Sequence, residues 1–264
     1  MLTTVAKAFQ VLSLFTPTRP VWGATSVAAE LGLKKSTAHD LLGSLAELGM
    51  LHRQGGQYTA GLKLLSLARS AEGTFPWLDA TRREMVTLAA QTGEAIHLST
   101  LQGYRLLDLE EVQGVGAVRV VFDSQMPPHC TAMGKVLLSD VPPEELARLT
   151  SNYNLRALTP NSITTADELH GELARVAEQG YAYDVEEVYE GVCCIAVPVR
   201  SERGKTLASI SVSAPAFRFY KHKDELRSAV LAAGARLSSA LSSPTPSISA
   251  HSTSAHSSPP SNRA

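Results

Sequence analysis

Apolar residues recur at helical spacing through residues 25–48 and then give way to a short alternating stretch. Ser26 to Leu31 reads as a short apolar-rich helix. Gly32 breaks it where a positive φ costs little, and Leu33 to Lys35 leads into a second helix. In that helix Ala38, Leu41, Leu42, Leu45 and Leu48 share one face, which leaves Lys35, Ser36, His39, Asp40 and Gly43 outward. Gly49 ends the helix, and Met50 to Thr59 reads as two brief strands around the Gly55-Gly56 turn. Two helices, a tight corner and a hairpin together predict a winged helix-turn-helix. Its outward face is short and polar and lies near a helix N-terminus, as a major-groove reader requires. Arg53 falls where a wing meets phosphate.

Patterning organises the rest of the chain. Near the start, Val5, Phe9 and Leu12 form a stripe with Leu2 and Ala6 beside it, which predicts an amphipathic helix packing on the helix-turn-helix or on a second copy of the chain. The run Ala8 to Phe15 is interrupted by Gln10 and Ser13 and makes a poor secretory segment. Gly61 to Gly73 carries Leu62, Leu65 and Ala68 at helical spacing and ends at a glycine, so it predicts a linker helix. From Phe75 to Leu241 helical segments alternate with strands at 95–101, 105–112, 118–122, 194–200 and 207–214, an α+β sheet domain. Ser242 to Ala264 shifts to Ser, Pro, Thr and His and predicts a disordered tail in which His251 and His256 are solvated. The expected organisation is therefore 1–60 for nucleic-acid binding, 61–74 as linker, 75–241 as a second folded domain, and 242–264 as tail.

Composition supports two folded units: 264 residues, 44% hydrophobic and 19% charged, suffice for a sizeable core. No segment is long enough to cross a bilayer, so no membrane partner is expected. The formal net charge of −1 hides an asymmetry. Residues 1–70 hold seven basic against three acidic side chains, net +4, and the remainder is net −5. A basic end on an acidic body points to nucleic acid at that end. Three cysteines, two of them adjacent, argue against a disulfide framework and for a reducing, cytoplasmic setting.

The second domain carries the candidate chemistry. Ser211 and Ser213 stand two apart in one strand, so their hydroxyls share a face, as do Cys194 and Ala196 in the neighbouring run. Two hydroxyls and a thiol supply donors without charge. A helix beginning near Thr131 has free N–H groups in its first turn, a natural seat for a carboxylate, so a small organic acid is the favoured ligand. Asp184 is the awkward member. Ionised, it repels an acid unless it receives a ligand hydroxyl or is protonated on burial. Other readings compete. Cys194 with Asp184 and His129 suggests a thiol enzyme in which the amino-terminal module serves only for association. The spacings among His129, Cys130, Cys193 and Cys194 match no standard zinc pattern, and neither metal nor cofactor is expected. Gly114-Val115-Gly116 lacks the strand-turn-helix setting of a nucleotide fingerprint. His97, on an apolar strand, reads as a hydrogen-bonded core residue.

One longer pattern runs Gly180-x3-Asp184-x2-Glu187-x3-Gly191-x2-Cys194-x-Ala196-x-Pro198-Val199. With the helix-turn-helix, Gln57 to Gly61, His97 and His129 to Lys135, it makes the chain resemble the IclR family of bacterial transcriptional regulators over residues 3–240. The resemblance implies a winged-helix DNA reader, a linker helix and a regulatory domain similar to GAF or PAS folds, with an antiparallel sheet and flanking helices. It also implies a small-molecule effector, and dimers or dimers of dimers on palindromic double-stranded operators. Carried over by residue, the effector pocket falls on Asp184, Val192, Cys194, Ser211 and Ser213, with Ala132 and Met133 opposite and Val115, Val118 and Met126 as an apolar wall. On DNA, Lys34, Lys35 and Arg53 are expected at phosphates and Ser36, Thr37 and His39 at register positions and base edges. Asp40 departs from the family, which commonly has a basic residue there, and its carboxylate is suited to the amino group of cytosine.

Overall fold

A computed structural model describes residues 3–75, 77–116, 126–152 and 155–241. The chain separates into two compact units with the boundary between Leu78 and Asp79. In the first, α1 (Thr3–Leu12) precedes β1 (Trp22–Gly23), α2 (Ala24–Leu31), α3 (Lys35–Glu47), β2 (Leu51–Gln54), β3 (Gln57–Ala60) and α4 (Lys63–Thr74). Gly32 ends α2 with φ 62°, and its N–H and that of Leu33 both donate to the Ala28 carbonyl. This left-handed cap turns the chain sharply into α3. Gly55 and Gly56, at φ 57° and 82°, close the β2–β3 hairpin, and β3 also pairs with β1, a strand the hydrophobic pattern did not reveal.

The unit closes on Val11, Trp22, Val27, Ala38, Leu41, Leu42, Leu45, Leu51 and Tyr58. One expectation needs correction, at Leu48, and two gain detail. In α1 the inward residues are Val11, Ala8 and Leu12, whereas Val5 and Phe9 are exposed. Apolar residues surround that helix, so its period alone does not select a face. Leu48 is exposed because it is the C-cap residue of α3, past the last packed turn. α4 runs to Thr74, and Leu62 before it and Leu65 and Leu67 within it are exposed.

The second unit contains α5 (Trp77–Thr92), β4 (Ala95–Leu101), β5 (Leu106–Val112), α6 (Ala132–Ser139), α7 (Pro143–Asn152), α8 (Ala166–Gln179), β6 (Ala182–Val185), β7 (Val192–Arg200), β8 (Thr206–Pro215) and α9 (Ala216–Leu241). The sheet is antiparallel throughout, in the order β5-β4-β8-β7-β6. β6 was not expected from the pattern, and the expected strand at 118–122 and the tail from 242 lie outside the described residues. Alternation gives the sheet two characters. Val197 faces α9 so closely that a Cβ on Gly234 would lie 2.6 Å from its methyl group. Cys194 and Ala196, of opposite parity, pack instead with Ala132, Met133 and Val136 of α6.

α6 is held by its own start. The Thr131 hydroxyl accepts the Gly134 N–H at 2.9 Å as an N-cap. A Cβ on Gly134 would lie 2.1 Å from the Pro128 carbonyl oxygen, so only glycine allows this approach.

Candidate nucleic-acid interface and effector site

On the first unit, Lys35, Ser36, His39 and Asp40 are exposed on the face of α3 opposite Ala38, Leu41, Leu42 and Leu45. Lys34 occupies the N-cap without a side-chain cap of its own, and Thr37 is half-buried. The first-turn N–H groups of α3 therefore open toward the surface that carries Lys34 and Lys35, an arrangement that favours an anion such as phosphate. Asp40 Oδ1 lies 3.8 Å from His39 Nδ1. Arg53 is exposed on β2, its guanidinium 5.8 Å from the Tyr58 ring centroid, so a buried aromatic base supports the wing's cation.

On the second unit, the strand register brings the polar residues into rows. Asp184, Cys194 and Ser213 pair in succession across β6, β7 and β8, and Ala95 continues the row on β4. One step along the strands, Ala182, Ala196, Ser211 and His97 form a parallel row on the same face. All of these side chains are buried. The Cys194 thiol donates to Ser213 Oγ at 3.1 Å, and Asp184 Oδ1 accepts the Glu187 N–H at 2.7 Å. Ser211 Oγ is buried without a hydrogen-bond partner among the described residues. Such an unmade bond costs about 1–3 kcal/mol, a loss that a ligand oxygen would recover.

Burial sets the protonation of this face. It pushes the Asp184 carboxyl up to about 7, with the neighbouring Glu187 carboxylate adding to the effect. It lowers His97 to about 3, so the imidazole is neutral. Burial, with Asp184 beside it, also pushes the Cys194 thiol well up. A nucleophilic cysteine needs the reverse shift, so Cys194 stands here as a thiol donor and the thiol-enzyme reading finds no support.

The carried-over pocket is only partly assembled. Ala132, Met133 and Cys194 share one buried cluster, with Val192 packed against it. Met126 belongs to a different cluster, with Cys130 and Val188. Val115 is fully exposed and forms no wall with the described residues. Val118 lies outside the described residues. Two residues missed as site components are Lys135 and Glu187. Lys135 Nζ donates to Glu187 Oε1 at 2.5 Å and to the Tyr183 carbonyl at 2.9 Å, entirely within the interior. Both occur inside the patterns that carried the family resemblance, which was the available signal. His129 is buried too, its Nδ1 3.0 Å from the Tyr104 hydroxyl.

A winged helix-turn-helix in the same chain as an α+β unit with a buried polar row defines a DNA-binding transcriptional regulator. Residues 4–55 match the model of the IclR helix-turn-helix domain, and residues 76–239 match that of the bacterial transcriptional regulator IclR C-terminal domain. The chain belongs to the IclR family.

The HTH-type transcriptional regulator XynR of Escherichia coli is 32% identical over 213 residues, covering 79% of this chain and 84% of that protein. The HTH-type transcriptional regulator KdgR of Dickeya chrysanthemi is 31% identical over 236 residues, covering 88% and 77%. Among solved structures, the Thermotoga maritima IclR superposes with a TM-score of 0.68 at 27% identity, covering 92% of this chain and 100% of that one. An IclR homologue from Microbacterium hydrocarbonoxydans complexed with 4-hydroxybenzoate gives 0.78 at 24% identity, covering 90% and 99%, a likeness of fold.

Proposed function

We propose that this regulator is controlled by a small organic acid bound on the α6 face of the five-stranded sheet. The observation that carries the reading is the buried row Asp184–Cys194–Ser213 with the unpartnered Ser211 hydroxyl beside it, packed under the start of α6. Neutral donors and first-turn N–H groups favour a carboxylate, and an Asp184 that binds a proton near neutral pH removes the charge that would repel one. The 4-hydroxybenzoate found in the Microbacterium homologue is an acid of this kind.

In this reading residues 1–60 bind DNA, 61–74 link, and 75–241 sense the acid. The acid acts by binding the DNA-competent and DNA-incompetent arrangements unequally, with a coupling on the order of 1–3 kcal/mol. Exposed Val5, Phe9, Leu65 and Leu67 supply apolar surface for a second copy of the chain, which favours a dimer, or a dimer of dimers, on a palindromic operator. No helix among the described residues is long and apolar enough to cross a membrane. A DNA partner supports a cytoplasmic reading.

Fluorescence anisotropy tests the proposal, using labelled DNA from upstream of the protein's own and neighbouring genes at two salt concentrations, with and without a panel of carboxylic acids. The expected result is sequence-dependent binding that an acid shifts, and that Ser211→Ala with Ser213→Ala leaves intact but unresponsive. Binding indifferent to every acid, or a double variant that responds normally, removes the effector from this face.

A further inference from the structure

The end of β4, the end of α6, the first turns of α7 and the start of β8 enclose a cavity of about 450 Å³, within the size range of small-molecule sites. Its floor is apolar, lined by Leu101, Leu137, Val141, Leu149 and Leu207. Leu101, Val141 and Leu149 rest in turn on the buried cluster around Leu138 and Leu169, so the floor is continuous with the core. Leu207 stands six residues before Ser213 on β8, about 20 Å along the strand. The cavity is therefore separate from the polar row under the start of α6.

Hydrogen bonds already fix the walls. Asp140, the C-cap residue of α6, accepts from Arg200 Nη1 at 2.9 Å, from the Thr206 N–H at 3.2 Å and from the Thr206 hydroxyl. The Thr100 hydroxyl donates to the Leu207 carbonyl at 2.9 Å, and the Lys205 carbonyl accepts the Ser201 N–H at 2.8 Å. With Asp140 engaged in this way, two charges remain at the rim. Lys205 and Glu145 line the cavity, are exposed, and have no ion-pair partner among the described residues. Glu145 lies one turn before Leu149 on α7, so the free carboxylate and the apolar floor share a helix face.

We propose that this cavity is a second small-molecule site, one that takes a free apolar amino acid with its carboxylate on Lys205, its ammonium on Glu145 and its side chain on the Leu137 and Leu207 floor. A cation, an anion and an apolar floor complement that zwitterion as a set. An acid lacking the ammonium brings a like charge to Glu145, an amine lacking the carboxylate does the same to Lys205, and a very small amino acid leaves the floor uncovered. The long, flexible stem of Lys205 lets its ammonium follow the ligand. The site stands independently of the effector reading, because none of Asp184, Cys194, Ser211 and Ser213 lines it.

The test is isothermal titration calorimetry of the full-length protein with leucine, valine and phenylalanine, followed by analogues of the tightest. For leucine these are isocaproate, which lacks the ammonium, isoamylamine, which lacks the carboxylate, and alanine, which lacks the branched apolar side chain. Each titration is repeated on Ser211→Ala with Ser213→Ala, in which an acid bound on the effector face no longer contributes. One of the three amino acids is expected to bind both proteins equally, and roughly tenfold more tightly than each of its analogues. Lys205→Met should lower its affinity to that of the amine, and Glu145→Gln to that of the acid. Both side chains are exposed, so neither change threatens folding. Binding of none of the three amino acids, equal affinity for the analogues, or a preference that survives both rim substitutions overturns the proposal. Amino-acid binding that the serine double variant abolishes belongs to the effector face and overturns it as well. The response of operator binding to carboxylic acids is read separately, so the effector reading stands or falls on its own result.

Discussion

The Lys135 ammonium is joined to the Glu187 carboxylate at 2.5 Å, linking α6 to the turn after β6 from inside the second unit. Glu172 on α8 stands 3.6 Å from the same nitrogen. Removing the cation leaves the buried Glu187 without its neutralising partner. Lys135→Met is expected to destabilise the protein by about 3–5 kcal/mol, and Lys135→Met with Glu187→Leu should recover most of that loss. Urea denaturation of the single and double variants measures both.

Asp184 makes stability depend on pH. Its carboxyl titrates at about 7 when folded and at 3.8 ordinarily. Between those values the folded chain holds a proton that the unfolded chain has released, so this group's contribution to stability falls as pH rises from 4 to 7 and then levels off. Asp184→Asn cannot ionise and still offers an oxygen to the Glu187 N–H. The variant should therefore gain on the wild-type protein from pH 5 to pH 8, by on the order of a few kcal/mol. Denaturation midpoints across that range check it, and a gap that does not change with pH contradicts it.

Lys35 stands exposed at the start of α3, beside the uncapped N-terminus. Its expected partner is a phosphate, which carries no sequence information. Lys35→Ala should weaken cognate and scrambled DNA alike and lower the slope of log affinity against log salt by about one. A salt titration with an unchanged slope places this side chain away from the backbone.

Asp40 is exposed on the same outward face, one turn beyond Ser36. A carboxylate near phosphates lowers affinity for any duplex, whereas one hydrogen-bonded to a cytosine amino group raises affinity for its own site. Asp40→Ala is expected to weaken the cognate operator by about 1–3 kcal/mol and to leave or improve binding to scrambled DNA. Equal strengthening on both shows that Asp40 reads no base.

Particular residues explain which parts of this structure were legible. α3 has apolar residues at Ala38, Leu41, Leu42 and Leu45 and polar ones opposite, so periodicity alone assigns its faces. α1 is apolar on several sides, and only contact with the rest of the unit selects Val11 over Phe9. Ala182–Val185 is too short to show an alternating pattern and becomes a strand by pairing with β7. That Ser211 and Ser213 share a face of their strand, and Cys194 and Ala196 a face of theirs, followed from a period of two, whereas the register of β7 and β8 makes the two faces one. Lys135 was not legible as a site residue, because a lysine is ordinarily solvated and its burial depends on Glu187, 52 positions away. His97 was legible as buried, but not as the register partner of Ser211.

By itself the sequence determined the local elements: the glycine corner at Gly32, the inward stripe of α3, the Gly55-Gly56 hairpin and the strands whose alternation shows in composition. These depend on backbone preferences and on interactions within a few residues of chain. Tertiary structure alone decided which strands are neighbours, and hence that β4 and β6 extend the face built by β7 and β8. It also decided that Lys135 and Asp184 leave water, and that Val115 stays in it. Strand order and desolvation arise from contacts between residues far apart in sequence, and no local period records them.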